Sequence, residues 1–280
     1  DKIANQNIEY TRKNVDLKGK RILDIAGVSS YIADILFEED EILSYTLINP
    51  NFKNDVKISK MKCIKGYFPE AITQDEKFDV VLLFNCLEHV PNPQEFLSSI
   101  KNVLTEDGVL ILKIPNVTRL FKQGDFSVFL HEHIFYFTAE TFTLISEKAG
   151  MGVANMCLDD DGIMATLKHL RVQKKIDIKI PDFDLSKFNS QIEYSKNLFK
   201  KLMQNNTKFI FHGAALGLVT LAHLVKDEID LSNVQVVDID ENKHGKYLPL
   251  YKLPIKSPEE IDVDSVDLII SGSTIFLNPI

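Results

Sequence analysis

The run from Phe129 to Thr138 carries the side chains of this sequence that are best suited to moving a proton. His131, Glu132 and His133 are consecutive and are flanked by aromatic and aliphatic residues. Burial in such an apolar frame shifts the pKa values of an imidazole and a carboxylate, and acid–base catalysis near pH 7 depends on such shifts. A structural cluster that only satisfies its own hydrogen bonds has the same composition. Both interpretations stand at this point.

The residues before this run alternate between strand and helix patterns. Short apolar runs predict five strands, and Phe78–Asn85 among them lacks alternation, as a strand covered on both faces does. Helices are predicted between them, and Pro93 suits the first turn of one of these. The predicted strands are 21–26, 42–48, 61–67, 78–85 and 109–114, and the helices are 7–15, 31–37 and 93–104. This order predicts a doubly wound parallel sheet, which binds ligands at the carboxyl ends of its strands.

Composition excludes several classes of protein. The 280 residues carry a net charge of −8, which argues against a nucleic acid or an anionic membrane as the main partner. The 3 cysteines are widely spaced and form no zinc or disulfide pattern, so a reducing cytoplasm is the expected location. No run of about 18 apolar residues predicts a membrane span. The chain starts at Asp1 without Met and ends abruptly, so we expect it to be trimmed.

A hairpin and a linker are predicted after the first alternation. Strands at 153–158 and 163–170 flank a turn of three aspartates and a glycine, followed by a linker at 174–187 and a helix at 188–203. The aspartates lack the spaced ligands of a calcium loop. A solvated hairpin tip is the better interpretation, and no metal site is predicted.

A second strand and helix alternation begins at Phe209. The loop Gly213–Gly217 follows a short strand and precedes a helix, and Asp238 ends the next strand. This order resembles a dinucleotide site, but its glycine pattern is incomplete. A Rossmann-like fold that uses glycine only for a tight turn explains the same residues.

The first alternation closely resembles a class I S-adenosylmethionine-dependent methyltransferase. Ile22–Gly27 is similar to the first cofactor motif, Phe78–Val90 to the motif of the fourth strand, and Gly108–Asn116 to the fifth strand. The resemblance implies S-adenosylmethionine as the cofactor. It also implies a set of cofactor-binding residues, which are Asp24, Ala26, Gly27, Asn49, Tyr67, Phe68, Asn85 and Leu87.

The later segments resemble the C-terminal domain of the sugar C-methyltransferase family. The matching segments are Gly213–Gly217, Val237–Pro249 and Pro254–Glu260, and that family also places a His-Glu-His aromatic segment after the fifth strand. We therefore expect a methyltransferase domain at 1–158, a hairpin and linker at 159–187, and a smaller Rossmann-like α/β domain at 188–280 that is truncated.

The family resemblance implies a mechanism for the His-Glu-His segment. His133 is the implied base that removes a proton next to a ketone, and Glu132 orients the substrate or the imidazole. His131 or Tyr136 hydrogen-bonds the enolate oxygen. The implied partner is a small molecule, a nucleotide-linked deoxy-keto-sugar, rather than a nucleic acid or a membrane. The sequence indicates no oligomeric state.

Two other functions remain open from the sequence. The first loop keeps only Gly27, with Ala26, Val28 and Ser30 around it, and Asn49 replaces the acid that usually meets the cofactor ribose. A methyltransferase-like protein that lost catalysis and serves as a scaffold would carry such changes. An NAD-dependent oxidoreductase that uses the Gly213–Gly217 loop is the other alternative.

Overall fold

The computed structural model divides the chain into two compact units. The first unit comprises residues 1–119 and 132–182, and the second comprises residues 120–131 and 183–280. The structure describes residues 2–51, 61–73, 75–125, 128–130, 132–159, 162–171, 178–203, 208–225, 234–249, 251–262 and 266–271. In these ranges no helix is both long and apolar enough to cross a membrane.

A seven-stranded sheet forms the centre of the first unit. Its strands are β1 (Arg21–Ile25), β2 (Ser44–Ile48), β3 (Met61–Ile64), β4 (Phe78–Phe84), β5 (Leu104–Pro115), β6 (Met151–Leu158) and β7 (Gly162–His169). Their order across the sheet is β3-β2-β1-β4-β5-β7-β6. The first five strands are parallel, and β7 runs antiparallel to both β5 and β6. The strand order reverses between β1 and β4, which is where such sheets bind ligands.

The helices of this part of the chain are α1 (Lys2–Asn14), α2 (Tyr31–Glu39), α3 (Pro93–Val103), α4 (Thr118–Gln123) and α5 (Ala139–Lys148). Helix α3 begins where the Asn92 side chain accepts a hydrogen bond from the backbone N–H of Glu95. Pro93 fills the first helical position, where its missing N–H costs nothing. Thr138 and Thr141 cap α5 reciprocally.

Alternate residues of the strands pack into two separate cores. Leu23 and Val81 face a core that includes Leu97 of α3 and Phe142 of α5. The neighbouring strand residues, such as Ile22 and Val80, face a core with Ile8 of α1 and Leu36 of α2. Helices thus cover both faces of the sheet, which confirms the predicted doubly wound α/β fold.

The structure assigns the predicted hairpin to the first sheet. Strand β7 pairs along β5 from Val109↔Lys168 to Pro115↔Gly162, and β6 is hydrogen-bonded to its other edge. The sequence boundary at 158 therefore separates two strands of one sheet. The reason is that β5 has no other neighbour on that side, so β7 supplies the partners for its backbone groups.

The second unit has its own five-stranded sheet. Its strands are β8 (Phe209–His212), β9 (Val234–Val237), β10 (Tyr247–Leu248), β11 (Leu253–Lys256) and β12 (Leu268–Ser271), in the order β10-β11-β9-β8-β12. Its helices are α6 (Ser186–Met203) and α7 (Leu216–Val225). All neighbouring strands are parallel except β10 and β11. Phe209, Val236 and Leu218 lie in its core.

Asp238 holds the glycine loop of the second unit. Its Oδ2 atom accepts hydrogen bonds from the Ala214 backbone N–H and the Lys243 Nζ, both at 2.8 Å, and its Oδ1 accepts from the Asp240 N–H at 2.9 Å. Gly213 has a φ of 101°, which a side chain rarely adopts. The carboxylate that a dinucleotide ribose would need is therefore engaged by the protein itself.

Candidate cofactor cavity and catalytic segment

A buried carboxylate lies beneath the loop that follows β1. Asp24 is 3% exposed, and its Oδ2 accepts a hydrogen bond of 2.7 Å from the Tyr45 hydroxyl. Burial raises the pKa of Asp24 to about 6, and the Tyr45 hydrogen bond opposes that rise. Tyr45 is itself fully buried, so the Asp24 carboxyl is fixed from below.

The Asp24 carboxyl makes stability depend on pH. Because its pKa in the folded state is raised, the folded protein keeps a proton that the unfolded chain has already lost between pH 4 and about 6. Wild type should lose about 3 kcal/mol of stability relative to Asp24→Asn over this window and no more above it. Urea unfolding of both proteins at several pH values measures the difference. A stability difference between the two proteins that stays flat from pH 4 to 7 would contradict the buried carboxyl.

Gly27 is required where the loop passes over Asp24. A Cβ at this position would lie 2.1 Å from the Asp24 Oδ2, a distance that no stable packing allows. The preceding residue, Ala26, has a φ of 66° in the left-handed region, where a side chain is strained. The loop therefore crosses the carboxyl in a tight and strained turn.

Asn49 fastens this loop from the end of β2. Its Nδ2 donates to the Gly27 carbonyl at 2.9 Å, and its Oδ1 accepts from the Asn51 backbone N–H at 2.8 Å. Both ends of the amide are thus engaged within the protein. The sequence predicted a ribose contact for Asn49, whereas the structure gives this side chain a bond to the loop.

A cavity of about 520 Å³ opens beside this loop, at the carboxyl ends of β1, β2 and β4. This volume lies in the range of small-molecule sites. Phe68 and Phe96 form part of its apolar wall and pack edge to face with ring centroids 5.3 Å apart. The other apolar wall residues include Ile25, Ile48 and Pro50, and the polar ones include Glu70, His89, Asn92, Glu95 and Ser99.

The structure brings three of the eight predicted cofactor residues into the cavity wall, namely Ala26, Tyr67 and Phe68. Leu87 is fully buried in the core. Asn85 lies exposed at the end of β4 with a φ of 50°. Asp24, Gly27 and Asn49 form the loop support described above.

The segment 132–136 folds back onto the turn that follows β4. The backbone N–H groups of Ile134 and Phe135 both donate to the Glu88 carbonyl oxygen, at 2.8 and 3.1 Å. Glu88 belongs to a single helical turn at Leu87–His89. This backbone clamp, made of the Glu88 carbonyl and the two N–H groups, brings His133 to the edge of the cavity wall.

His133 packs against His89. Their ring centroids are 4.9 Å apart at an interplanar angle of 77°, and the Nδ1 of His89 lies 2.8 Å from the Glu132 carbonyl oxygen. Burial lowers the pKa of His133, His89 lowers it further, and the nearby Glu132 opposes the change. His133 is therefore neutral at pH 7 and has a lone pair that can accept a proton.

The remaining predicted catalytic residues lie around this pair. Tyr136 is half-buried, with its ring centroid 6.2 Å from that of His133, and Glu132 is exposed. His131 lies outside the described residues. The structure thus brings Glu132, His133 and Tyr136 together.

Sequence reasoning missed two members of the site. His89 lines the cavity and also contacts His133, so it connects the cavity to the predicted base. Glu88 is 2% exposed, and burial raises the pKa of its carboxyl. The signal was present as Leu87-Glu88-His89-Val90 after the fourth strand, where parallel sheets place ligand-binding residues.

A family profile described as a methyltransferase domain matches residues 3–154, which is more than half of the chain. The chain belongs to this methyltransferase family. The matched residues form a methyltransferase domain, and its cofactor is S-adenosylmethionine. The match covers the loop after β1, the cavity and the segment that carries His133.

Curated relatives of this methyltransferase match it over part of their length. A ubiquinone biosynthesis O-methyltransferase of Glaesserella parasuis is 30% identical over 117 residues, which cover 38% of this chain and 50% of that protein. The C-methyltransferase NovU of Streptomyces niveus is 28% identical over 71 residues, which cover 25% of this chain and 17% of that protein. The chain spans about half the length of the first relative and less of the second.

Solved structures support the fold of the methyltransferase. A chain from the complex between the Haloferax volcanii Trm112 methyltransferase activator and a methyltransferase aligns with a TM-score of 0.50 at 13% identity. The alignment covers 59% of this chain and 88% of that chain. At this identity the likeness shows the fold alone.

The cavity of the methyltransferase fits S-adenosylmethionine. Its volume suits a ligand of that size, and the Phe68–Phe96 pair with Ile48 offers an apolar surface to a flat purine. Glu70 and Glu95 place two carboxylates at a cavity for a ligand that carries a sulfonium and an ammonium group. These residues, with Ala26 and Tyr67, would hold the cofactor.

Proposed function

We propose that this methyltransferase transfers a methyl group to a carbon atom of a small, nucleotide-linked keto-sugar, with His133 as the base that forms an enolate. The observation that carries the proposal is the position of His133, which packs on a residue of the cofactor cavity wall. A proton acceptor beside the methyl donor is what C-methylation next to a ketone needs. We also propose a cytoplasmic location.

In this proposal, residues of the chain accept the substrate's proton and stabilise the enolate that forms. His133 is neutral at pH 7 and accepts the proton, because burial lowers its pKa. Glu132, next to it, opposes this lowering and so favours the imidazolium that forms. Tyr136 or His131 is the proposed donor to the enolate oxygen. S-adenosylmethionine, when bound, supplies a methyl group already activated as a sulfonium.

The relatives support two different acceptor atoms for the methyl group. NovU, named a C-methyltransferase, supports transfer to carbon. The O-methyltransferase relative favours a second candidate, in which His133 takes a proton from a substrate hydroxyl and the methyl group goes to oxygen. The same base serves both reactions, so the product decides between them.

Proton exchange tests the proposal without requiring turnover. In D₂O, and with S-adenosylhomocysteine in place of the methyl donor, the protein should exchange the hydrogen next to the ketone of a nucleotide-linked 4-keto-deoxysugar, as seen by NMR. With S-adenosylmethionine, a new carbon–methyl signal should appear. A methyl ether formed without exchange supports the second candidate. Binding of S-adenosylhomocysteine with neither exchange nor methyl transfer contradicts both.

The domain assignment is part of the proposal. We propose that residues 188–280 form a separate Rossmann-like α/β domain, with the Gly213–Gly217 loop as a structural turn. Engagement of Asp238 by Ala214 and Lys243 supports the structural role of the loop. Saturable NAD binding that disappears in Gly213→Val would reverse this assignment.

A further inference from the structure

Three side chains with metal-ligating atoms converge at the turn after β4. Glu88, His89 and His133 each offer one ligand atom, and these atoms lie within 4.8 Å of one another. Glu88 and His89 come from the helical turn, and His133 comes from the segment that the backbone clamp holds against it. The three residues are 45 positions apart at most in sequence, so the fold rather than a local motif assembles them.

The hydrogen bonds leave an excess of electron pairs at this cluster. The Glu132 carbonyl can only accept, so the His89 Nδ1 at 2.8 Å from it carries the hydrogen. In the neutral ring, the Nε2 of His89 then has the lone pair, and it lies 3.9 Å from the Glu88 Oε1. Within the described part of the chain, the buried Oε2 of Glu88 has no hydrogen-bond partner. A buried carboxylate without a partner is costly, and a cation between these acceptors removes the cost.

We propose that Glu88, His89 and His133 form a binding site for a Zn²⁺ ion. Two imidazoles and one carboxylate are a frequent zinc ligand set, and three protein ligands leave a fourth position for water. The bond from His89 to a backbone carbonyl is the usual outer support of a zinc-bound histidine, since it orients the ring. Imidazole ligands also favour Zn²⁺ over Mg²⁺ or Ca²⁺.

The geometry requires a modest closure of the cluster. Bonds of about 2.0–2.2 Å to a tetrahedral ion place ligand atoms roughly 3.4 Å apart. The Glu88 and His89 atoms at 3.9 Å are already close to this spacing. The His133 ring nitrogen lies within 4.8 Å of both other ligand atoms, and it must move nearer to them when the ion binds.

Zinc occupancy has a consequence for the proposed reaction. A lone pair of His133 that is bonded to Zn²⁺ is no longer available to accept a proton from the substrate. If His133 is the base, Zn²⁺ should inhibit methyl transfer, and a chelator should restore it. This consequence rests on the proposed function, whereas binding of the ion does not.

Binding is measured directly on tag-free protein stripped with a chelator. Calorimetric titration with ZnCl₂ should show one equivalent bound to wild type. His89→Ala and His133→Ala remove a ligand and Glu88→Gln removes the negative charge, so each should weaken binding by at least the roughly 10–100-fold that loss of an outer-shell partner costs. His223→Ala, a change at an exposed histidine of the second unit, should bind as wild type does.

Cobalt reports the ligand types and melting temperature reports folding. Co²⁺ in place of Zn²⁺ should give visible bands of a low-coordinate site without thiolate charge transfer, because the proposed ligands are nitrogen and oxygen. A thiolate band would assign the ion to Cys86 or another cysteine and overturn the proposal. Full zinc affinity in folded His89→Ala and Glu88→Gln proteins, or no binding to wild type, would overturn it as well.

Discussion

His133→Ala lowers the rate of methyl transfer by about 10²–10⁴, the usual cost of losing a positioned general base. Affinity for S-adenosylhomocysteine stays within a few-fold, because His133 packs against the cavity wall rather than forming it. Single-turnover kinetics measure the first effect, and calorimetric titration measures the second. Glu132→Gln should cost less, since an amide oxygen still accepts a hydrogen bond.

A purely structural cluster predicts a different pattern. Both changes would then lower stability by about 1–3 kcal/mol, and activity would fall only as the protein unfolds. Melting temperatures of the same variants separate the two outcomes, and His223→Ala serves as the matched histidine control. A folded His133→Ala protein that turns over normally removes His133 from the mechanism.

Gly27→Ala should weaken S-adenosylhomocysteine binding by at least about tenfold and lower stability by about 1–3 kcal/mol, as overpacking does. The added Cβ would lie 2.1 Å from the Asp24 carboxylate, which the buried Tyr45 holds in place. The loop must therefore move, and with it Ala26 in the cavity wall. Calorimetry and urea unfolding measure the two effects.

Ser29→Ala is the control for the loop, because Ser29 is exposed and adds no atom to the packing. It should retain both affinity and stability. Gly27→Ala in the Asp24→Ala background should recover part of the lost affinity, since the clash is then absent. Unchanged binding in Gly27→Ala would show that the cofactor does not depend on this loop.

The sheet of the first unit was predictable because its strands are buried on both faces. Continuous apolar runs such as Val80–Leu83 have no other stable location, and the helices between them carry spaced apolar residues. The short strands β10 and β11 were missed, since two to four residues around Pro254 carry no periodicity. The hairpin was found as two strands, but its assignment to the first sheet depends on pairing with β5 that no local pattern encodes.

The two segments that form the site could be predicted from the sequence, but the contact between them could not. The His-Glu-His segment and the turn at Leu87–Val90 are both visible in the sequence. Their meeting depends on two backbone hydrogen bonds to the Glu88 carbonyl, and backbone bonds leave no trace in side-chain identity. The hydrogen bonds of Asn49 and Asp238 to backbone groups of neighbouring loops likewise depend on the fold, so no local pattern predicts them.

The backbone clamp at Glu88 holds segment 132–136 in position through backbone atoms alone. This attachment is therefore independent of the side chains of the segment. The clamp uses the backbone N–H groups of Ile134 and Phe135, and every residue type except proline has such a group. Replacing either side chain by one other than proline therefore leaves these hydrogen bonds possible. The side chains of this segment can thus change while its backbone attachment to the turn after β4 is kept. We expect substitutions at 132 and 136 to change substrate preference while His133, the proposed base, and the attachment to the methyltransferase core stay the same.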